Sequence, residues 1–116
     1  MHKEESTRQL KVGRLIQREL ALYFQREQST ICLGSMVTVT VVRVTPDLSI
    51  ARVYLSIFPS QRAKETLDSI NLHNKAIRYY LGTQVRNQLR IVPELEFFID
   101  DSLDYFEKID KLLKNP

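Results

Sequence analysis

Between residues 7 and 26 the apolar positions Val12, Ile16, Leu20, Tyr23 and Phe24 recur on one side at about 100° per residue, the period of an amphipathic helix. Gly13 falls on the same side. Glycine weakens a helix, so its place on the apolar face predicts that another backbone packs close against it. After a loop at residues 29–35 the pattern changes. Met36-Val37-Thr38-Val39-Thr40-Val41-Val42-Arg43-Val44 is rich in β-branched residues and predicts a strand. Thr45-Pro46-Asp47-Leu48-Ser49 predicts a turn, because proline fixes φ and aspartate can bond its own backbone. Beyond it Ala51, Val53, Leu55 and Ile57 alternate with Arg52, Tyr54 and Ser56, a half-buried strand that should pair with the first as an antiparallel hairpin.

The period returns to helical over residues 61–72 and again over 74–87, where Ile77, Leu81 and Val85 point inward. Residues 89–100 revert to extended character, with Pro93 near the start and Leu95, Phe97 and Ile99 alternating with Glu96 and Phe98. Asp101 or Ser102 would cap a last short helix over 103–113, acidic early and basic late as the helix dipole prefers. The pattern therefore predicts an α+β domain ordered helix, strand, strand, helix, helix, strand, with a short C-terminal helix. No repeat or linker interrupts it, so residues 1–116 are expected to form one domain with an ordered core at about 7–113.

Composition narrows the class. At 116 residues, 43% hydrophobic and 27% charged, the chain is long enough for one core and too short for two. No stretch approaches the roughly 18 apolar residues of a membrane span, and the start Met1-His2-Lys3-Glu4-Glu5 lacks the apolar core of a secretory signal, so a cytoplasmic protein without a membrane partner is expected. Cys32 is the only cysteine and forms no intramolecular disulfide; it reads as a small buried hydrophobe. The net charge of +3 hides an asymmetry: residues 1–92 hold 14 Lys and Arg against 7 Asp and Glu, residues 93–116 hold 3 against 7. A basic body favours a polyanion, and the acidic end would face away from it.

Two helices carry that charge in an ordered way. Arg8, Lys11, Arg14 and Arg18 fall within about 120° of arc opposite the Val12, Ile16 and Leu20 stripe. Lys75, Arg78 and Arg86 fall within about 80° of one another, with Gly82 between them. That glycine either lets a phosphate backbone approach or packs against another helix, and the spacing leaves both open. Arg43, Arg52 and Arg90 add cations on or near the strands. Solvation alone would also explain an outward charged face.

Catalytic patterns are lacking. Asp100, Asp101, Asp104, Glu107 and Asp110 form the only acid cluster, and helix capping with solvation accounts for it. His2 and His73 stand apart without zinc or general-base partners, and Gly13, Gly34 and Gly82 are too far apart for a phosphate-binding loop. The residues thus predict a non-enzymatic RNA-binding domain without cofactor, metal or small-molecule substrate, and a monomer by default. A protein–protein adaptor docking on the sheet or on the acidic C-terminal helix is the alternative. A metal-dependent nuclease built on the Asp100 to Asp110 cluster is a weaker third reading.

Five segments, in order and spacing, resemble the ribosome-binding factor A family: Met36-Val37-Thr38-Val39-Thr40-x-Val42; Pro46-Asp47-Leu48-Ser49-x-Ala51-x-Val53-Tyr54; Ile77-Arg78-x-x-Leu81-Gly82; Leu89-Arg90-Ile91-Val92-Pro93-Glu94-Leu95-x-Phe97; and Asp100-Asp101-Ser102-Leu103-Asp104-Tyr105. The similarity runs from Arg8 to Leu113. It implies a type II KH-like fold, a three-stranded sheet backed by helices, and a non-catalytic factor that binds the immature small (30S) ribosomal subunit and its 16S rRNA. It also implies help in late rRNA maturation and 5′-end processing, release before translation, and a part in cold adaptation. The RNA-binding residues expected on this reading are Arg8, Lys11, Arg14, Arg18, Lys75, Arg78 and Arg86, with Arg43 and Arg90 beside them. Sequence-reading KH modules clamp nucleotides with a GXXG loop, which is missing here. Where the family often carries Ala-x-Gly at a kinked helix joint, this chain has His73-Asn74-Lys75. The interval between Arg78 and Pro93-Glu94-Leu95 is about two residues longer than in many relatives, by inspection of the motif spacing. Some relatives continue into a basic C-terminal tail; this sequence stops at Pro116, so no part for such a tail is expected.

Overall fold

The computed structural model describes residues 5–100. The first helix, α1 (Thr7–Arg26), opens on a capping box: the Ser6 hydroxyl accepts from the Gln9 amide N–H at 3.1 Å, and the Gln9 side chain accepts from the Ser6 N–H at 2.8 Å. Its apolar side buries Val12, Ile16, Leu20, Tyr23 and Phe24, the stripe that the period predicts. The hairpin β1 (Met36–Val44) and β2 (Ile50–Phe58) follows in antiparallel register, with Val39 opposite Leu55 and Val44 opposite Ala51. Its turn is held at Asp47, whose carboxylate accepts from the hydroxyls of Thr45 and Ser49 and from the Ser49 N–H.

A short 3-10 turn (Ser60–Arg62) leads into α2 (Ala63–Leu72) and α3 (Asn74–Val85), and β3 (Glu94–Ile99) completes the sheet. Strand order is β1-β2-β3, with β3 parallel to β2; the α2–α3 pair is the crossover that a parallel connection needs. The mixed α+β order predicted from the pattern is therefore the order observed. All three helices cover one side of the sheet. Between the layers Ile16, Leu20, Phe24, Val53, Leu55, Ile77, Leu81 and Val85 are fully buried, each worth about 1.5–3 kcal/mol.

Three boundaries differ from the pattern. Residues 60–62 form the 3-10 turn, so the second helix proper starts at Ala63. The third helix stops at Val85 instead of residue 87, where Gln88 and Leu89 N–H groups turn back onto the Val85 carbonyl at 2.8 Å. The third strand starts at Glu94, five residues later than expected. Pro93 has no N–H to give a ladder, and the Val92 and Pro93 carbonyls are taken by the Arg78 side chain, so residues 89–93 form an irregular lead-in. The helix expected over 103–113 lies outside the described residues.

Gly13 does mark a close approach. A Cβ placed on it would sit 3.0 Å from the Val42 carbonyl oxygen, which brings α1 down onto β1. Side by side with this contact, Gln9 donates to the Val44 carbonyl at 2.8 Å and Gln17 donates to the carbonyls of Val39 and Thr40 at 3.0 and 3.2 Å. Both carbonyls lie at the register shift between Val39 and Val41, where the ladder is locally disrupted. These bonds fix the rotation of α1, and with it the direction of its basic face.

Candidate nucleic-acid interface

Fixing α1 by its buried side leaves Arg8, Lys11, Arg14 and Arg18 exposed on the other. Lys75, Arg78 and Arg86 are exposed on α3 and its C-cap. The two helices meet along a different side: Tyr23 packs on Tyr80 with ring centroids 4.6 Å apart, and the Arg26 guanidinium lies over both rings. Tyr80 thus faces α1, while Lys75, Arg78, Tyr79, Gly82 and Arg86 turn toward residues 92–95. The basic groups form two tracts on the helical layer, one on each flank of that seam.

The tract on α3 is a groove. It has a volume of about 840 Å³, and its walls are one side of α3 and the entry to β3. Two side chains hold those walls together. Asn74 donates to the Leu95 carbonyl at 3.0 Å, and Arg78 donates to the Pro93 and Val92 carbonyls at 3.1 and 2.7 Å. Arg78, expected as a phosphate contact, therefore commits two of its guanidinium donors inside the protein. Gly82 lies on the groove floor, where an added Cβ would meet Val92 Cγ2 at an ordinary 3.5 Å. Packing does not demand a glycine there; its effect is to keep the floor low.

The joint at the head of the groove is a single residue. His73 ends α2 and begins α3, with its N–H bonded to the Ser69 and Ile70 carbonyls and its Nδ1 2.8 Å from the Ser69 oxygen. The place where sequence-reading KH modules carry a GXXG loop is thus a tight helix-to-helix turn with its backbone already bonded.

Arg90 lies on the lead-in to β3 and lines a smaller pocket of about 230 Å³ together with Arg8, Asp47 and Ser49. The fold thereby brings Arg90 to the N-terminal end of the α1 tract. Arg43 is not brought there. It pairs in register with Arg52, between the inward-facing Val42 and Val44, so it belongs to the sheet face away from the helices. On that face Arg43 bonds Glu5 at 3.1 Å and Arg52 bonds Glu96 at 3.3 Å. Arg8, Lys11, Arg14, Arg18, Lys75, Arg86 and Arg90 have no ion-pair partner among the described residues.

Tyr79 was missed by the charge pattern. Tyr79 is 77% exposed and lines the groove, one helical turn after Lys75 and two before Arg86. An aromatic on the polar side of a basic helix was the available signal. On the sheet face away from the helices Tyr54 and Phe98 stack with centroids 5.4 Å apart, with Met36, Val41 and Phe58 exposed on the same face. Among the described residues no group of three His, Cys, Asp or Glu could hold a metal ion, and no helix is long and apolar enough to cross a membrane. Asp101, Asp104, Glu107 and Asp110 lie outside the described residues.

Residues 8–113 match the family model described as ribosome-binding factor A. The chain belongs to that family. Ribosome-binding factor A of Flavobacterium johnsoniae is 51% identical over 110 residues, covering 94% of this chain and 85% of that protein. The Chlorobaculum tepidum ribosome-binding factor A is 42% identical over 111 residues, 95% of this chain and 91% of its own. The crystal structure of ribosome-binding factor A from Thermus thermophilus shares the fold, with a TM-score of 0.66 at 23% identity over 78% of this chain and 94% of that one. A homology model of the Thermus thermophilus ribosome-binding factor A, fitted into the cryo-EM map of a 30S–RbfA complex, gives a TM-score of 0.61 at 26% identity, covering 77% and 91%.

Proposed function

We propose that this member of the ribosome-binding factor A family is a non-catalytic assembly factor that binds the immature small ribosomal subunit through its 16S rRNA. Its work is late maturation of that rRNA and support of 5′-end processing, in the cytoplasm, as a monomer, with a part in growth in the cold. The observation that carries the reading is the contrast between the two sides of the molecule. On the helical layer and the lead-in Arg8, Lys11, Arg14, Arg18, Lys75, Arg86 and Arg90 lack an ion-pair partner among the described residues, whereas Arg43 and Arg52 on the sheet side are each matched by a glutamate. A polyanion gains most from charges that are not already neutralised. Family membership and the placement of a relative on the 30S subunit support the same partner.

Phosphate contacts orient a protein without reading sequence, so selectivity would come from the folded shape of the rRNA. Binding one rRNA conformer better than another shifts the population by that difference in affinity, and no reaction is needed. Arg8, Lys11, Arg14 and Arg18 serve as the α1 contacts, extended by Arg90; Lys75 and Arg86 serve on α3, where Arg78 acts first as a strut. Arg43 contributes least, being on the far face and paired. The test is the Arg14→Glu, Arg18→Glu double variant. Its binding to small subunits should weaken, and the slope of log K against log salt should fall by roughly 0.7–0.9 for each phosphate the protein no longer neutralises. Unchanged binding by a folded variant would remove α1 from the interface.

The sheet face away from the helices supports a second reading, a protein contact, because Met36, Val41, Phe58 and Phe98 are exposed on it. Binding through that face would change little with salt.

A further inference from the structure

We propose that the sheet face away from the helices is the seat of the chain's own residues 103–113, bound there as an amphipathic helix. The inference goes beyond the rRNA-binding reading and does not rest on it. Two patterns interlock in the sequence of that segment. On a helical wheel Tyr105, Phe106, Ile109, Leu112 and Leu113 fall within about 120° of one another, the spacing of a buried stripe. Opposite the stripe Asp104 precedes Lys108, Glu107 precedes Lys111 and Asp110 precedes Lys114, each by four residues with the acid first, the favourable order for helical ion pairs. A helix of about eleven residues is marginal in water by itself, so the stripe needs an apolar partner.

The sheet supplies one. Val41, Tyr54 and Phe98 lie side by side across the three strands, and Met36 opposite Phe58 ends the patch four residues further along β2. That length is about 13 Å, against about 16 Å for an eleven-residue helix. The exit of the chain from β3 names the occupant. The Asp100 N–H continues the ladder onto the Leu55 carbonyl at 2.7 Å, while the Asp100 carboxylate accepts from the Thr40 hydroxyl on β1 at 2.6 Å. Because β2 lies between β1 and β3, that side chain reaches across it, on the face that carries Phe98 two residues earlier. The chain therefore leaves the sheet over the patch. A tether this short holds the segment at a roughly millimolar effective concentration. Charge agrees, since residues 93–116 hold 3 Lys and Arg against 7 Asp and Glu, and this face is turned away from the basic helical layer.

The experiment is NMR on the full chain, read as nuclear Overhauser contacts and amide hydrogen exchange. Contacts should join the Tyr54 and Phe98 rings to the methyl groups of Ile109 and Leu113, and amides 106–113 should exchange at least about tenfold more slowly than an unstructured chain. Met36→Ser with Phe58→Ser changes the seat at side chains that are 59% and 71% exposed, so the fold should persist, with the Val53 and Leu55 amides still protected. The double variant should return amides 106–113 to unstructured rates. Ile109→Asp, on the other partner of the contact, should do the same. Unprotected amides in the parent, or protection that neither variant alters, overturns the seat. In a mixture of labelled and unlabelled chains the contacts should stay within one molecule; contacts found only between molecules would make a second copy the occupant and overturn the proposal. None of these results bears on salt-sensitive binding to small subunits, so the rRNA reading is tested separately.

Discussion

The α-carbon of Gly13 rests against the carbonyl of Val42, so closely that a methyl group there would come within 3.0 Å of the oxygen. Gly82, on the other basic helix, has its nearest neighbour at 3.5 Å, the far end of a valine side chain. The same substitution should therefore have opposite signs. Gly13→Ala should lower stability by about 1 kcal/mol net, since crowding a backbone oxygen costs more than the gain in helix propensity. Gly82→Ala should raise stability by about 0.5–1 kcal/mol while raising the groove floor. Urea unfolding of the two variants beside the parent measures both.

Arg78 ties α3 to the entry of β3 by two bonds to carbonyls, and these are bonds from a charged donor. Arg78→Ala should cost roughly 2 kcal/mol of stability, and Arg78→Lys should recover only part of it because an ammonium lacks the planar fork. Lys75→Ala and Arg86→Ala should stay within about 0.5 kcal/mol of the parent. Equal stability losses at all three positions in urea unfolding would contradict the division into one strut and two cations that have no ion-pair partner among the described residues.

Cys32 is fully buried, with its thiol directed at the Phe24 carbonyl 3.7 Å away. Burial, and next the Glu27 carboxylate, push its pKa up to about 11. The thiol form should therefore persist at pH 8, and only the thiolate reacts. Labelling by a disulfide reagent should follow unfolding and speed up with urea; fast labelling of the native protein would show that the loop after α1 opens.

Asp47 has its carboxyl held below the usual carboxylate range by the Ser49 hydroxyl, the Thr45 hydroxyl and the Ser49 N–H. A folded-state pKa below the unfolded one means stabilisation that is complete above the ordinary value of about 3.9 and lost as the pH falls through the folded one. The stability difference between the parent and Asp47→Ala should be constant from neutral pH down to about 5 and shrink below about 4. A difference that grew on acidification would contradict this turn geometry.

How much of this was legible in the sequence depends on how local the cause is. The α1 stripe, the β1–β2 alternation and the Ile77, Leu81, Val85 spacing are periodic, so the element order could be read directly. Gly13 was readable too, because a glycine on an apolar helix face has few reasons to be there. The start of β3 was not: its lead-in is irregular because Arg78, fifteen residues earlier than Pro93, takes the carbonyls. Arg78 itself looks like any other cation on a helical wheel, and only the tertiary fold assigns it to an internal bond. Arg43 sits in a strand whose register shift near Thr40 decides which face its neighbours take, a feature that alternation alone does not reveal. Tyr79 was overlooked because the charges around it were read without the ring between them.

On the proposed function, the helical-side cations that have no ion-pair partner among the described residues select the small ribosomal subunit. Co-sedimentation of the purified protein with small subunits, large subunits and assembled ribosomes, at low and high salt, tests it most directly. Binding to small subunits should exceed binding to the other particles, be abolished as salt rises and be weakened by Arg14→Glu with Arg18→Glu. Equal binding to every particle, or binding indifferent to salt and to that double variant, would contradict it.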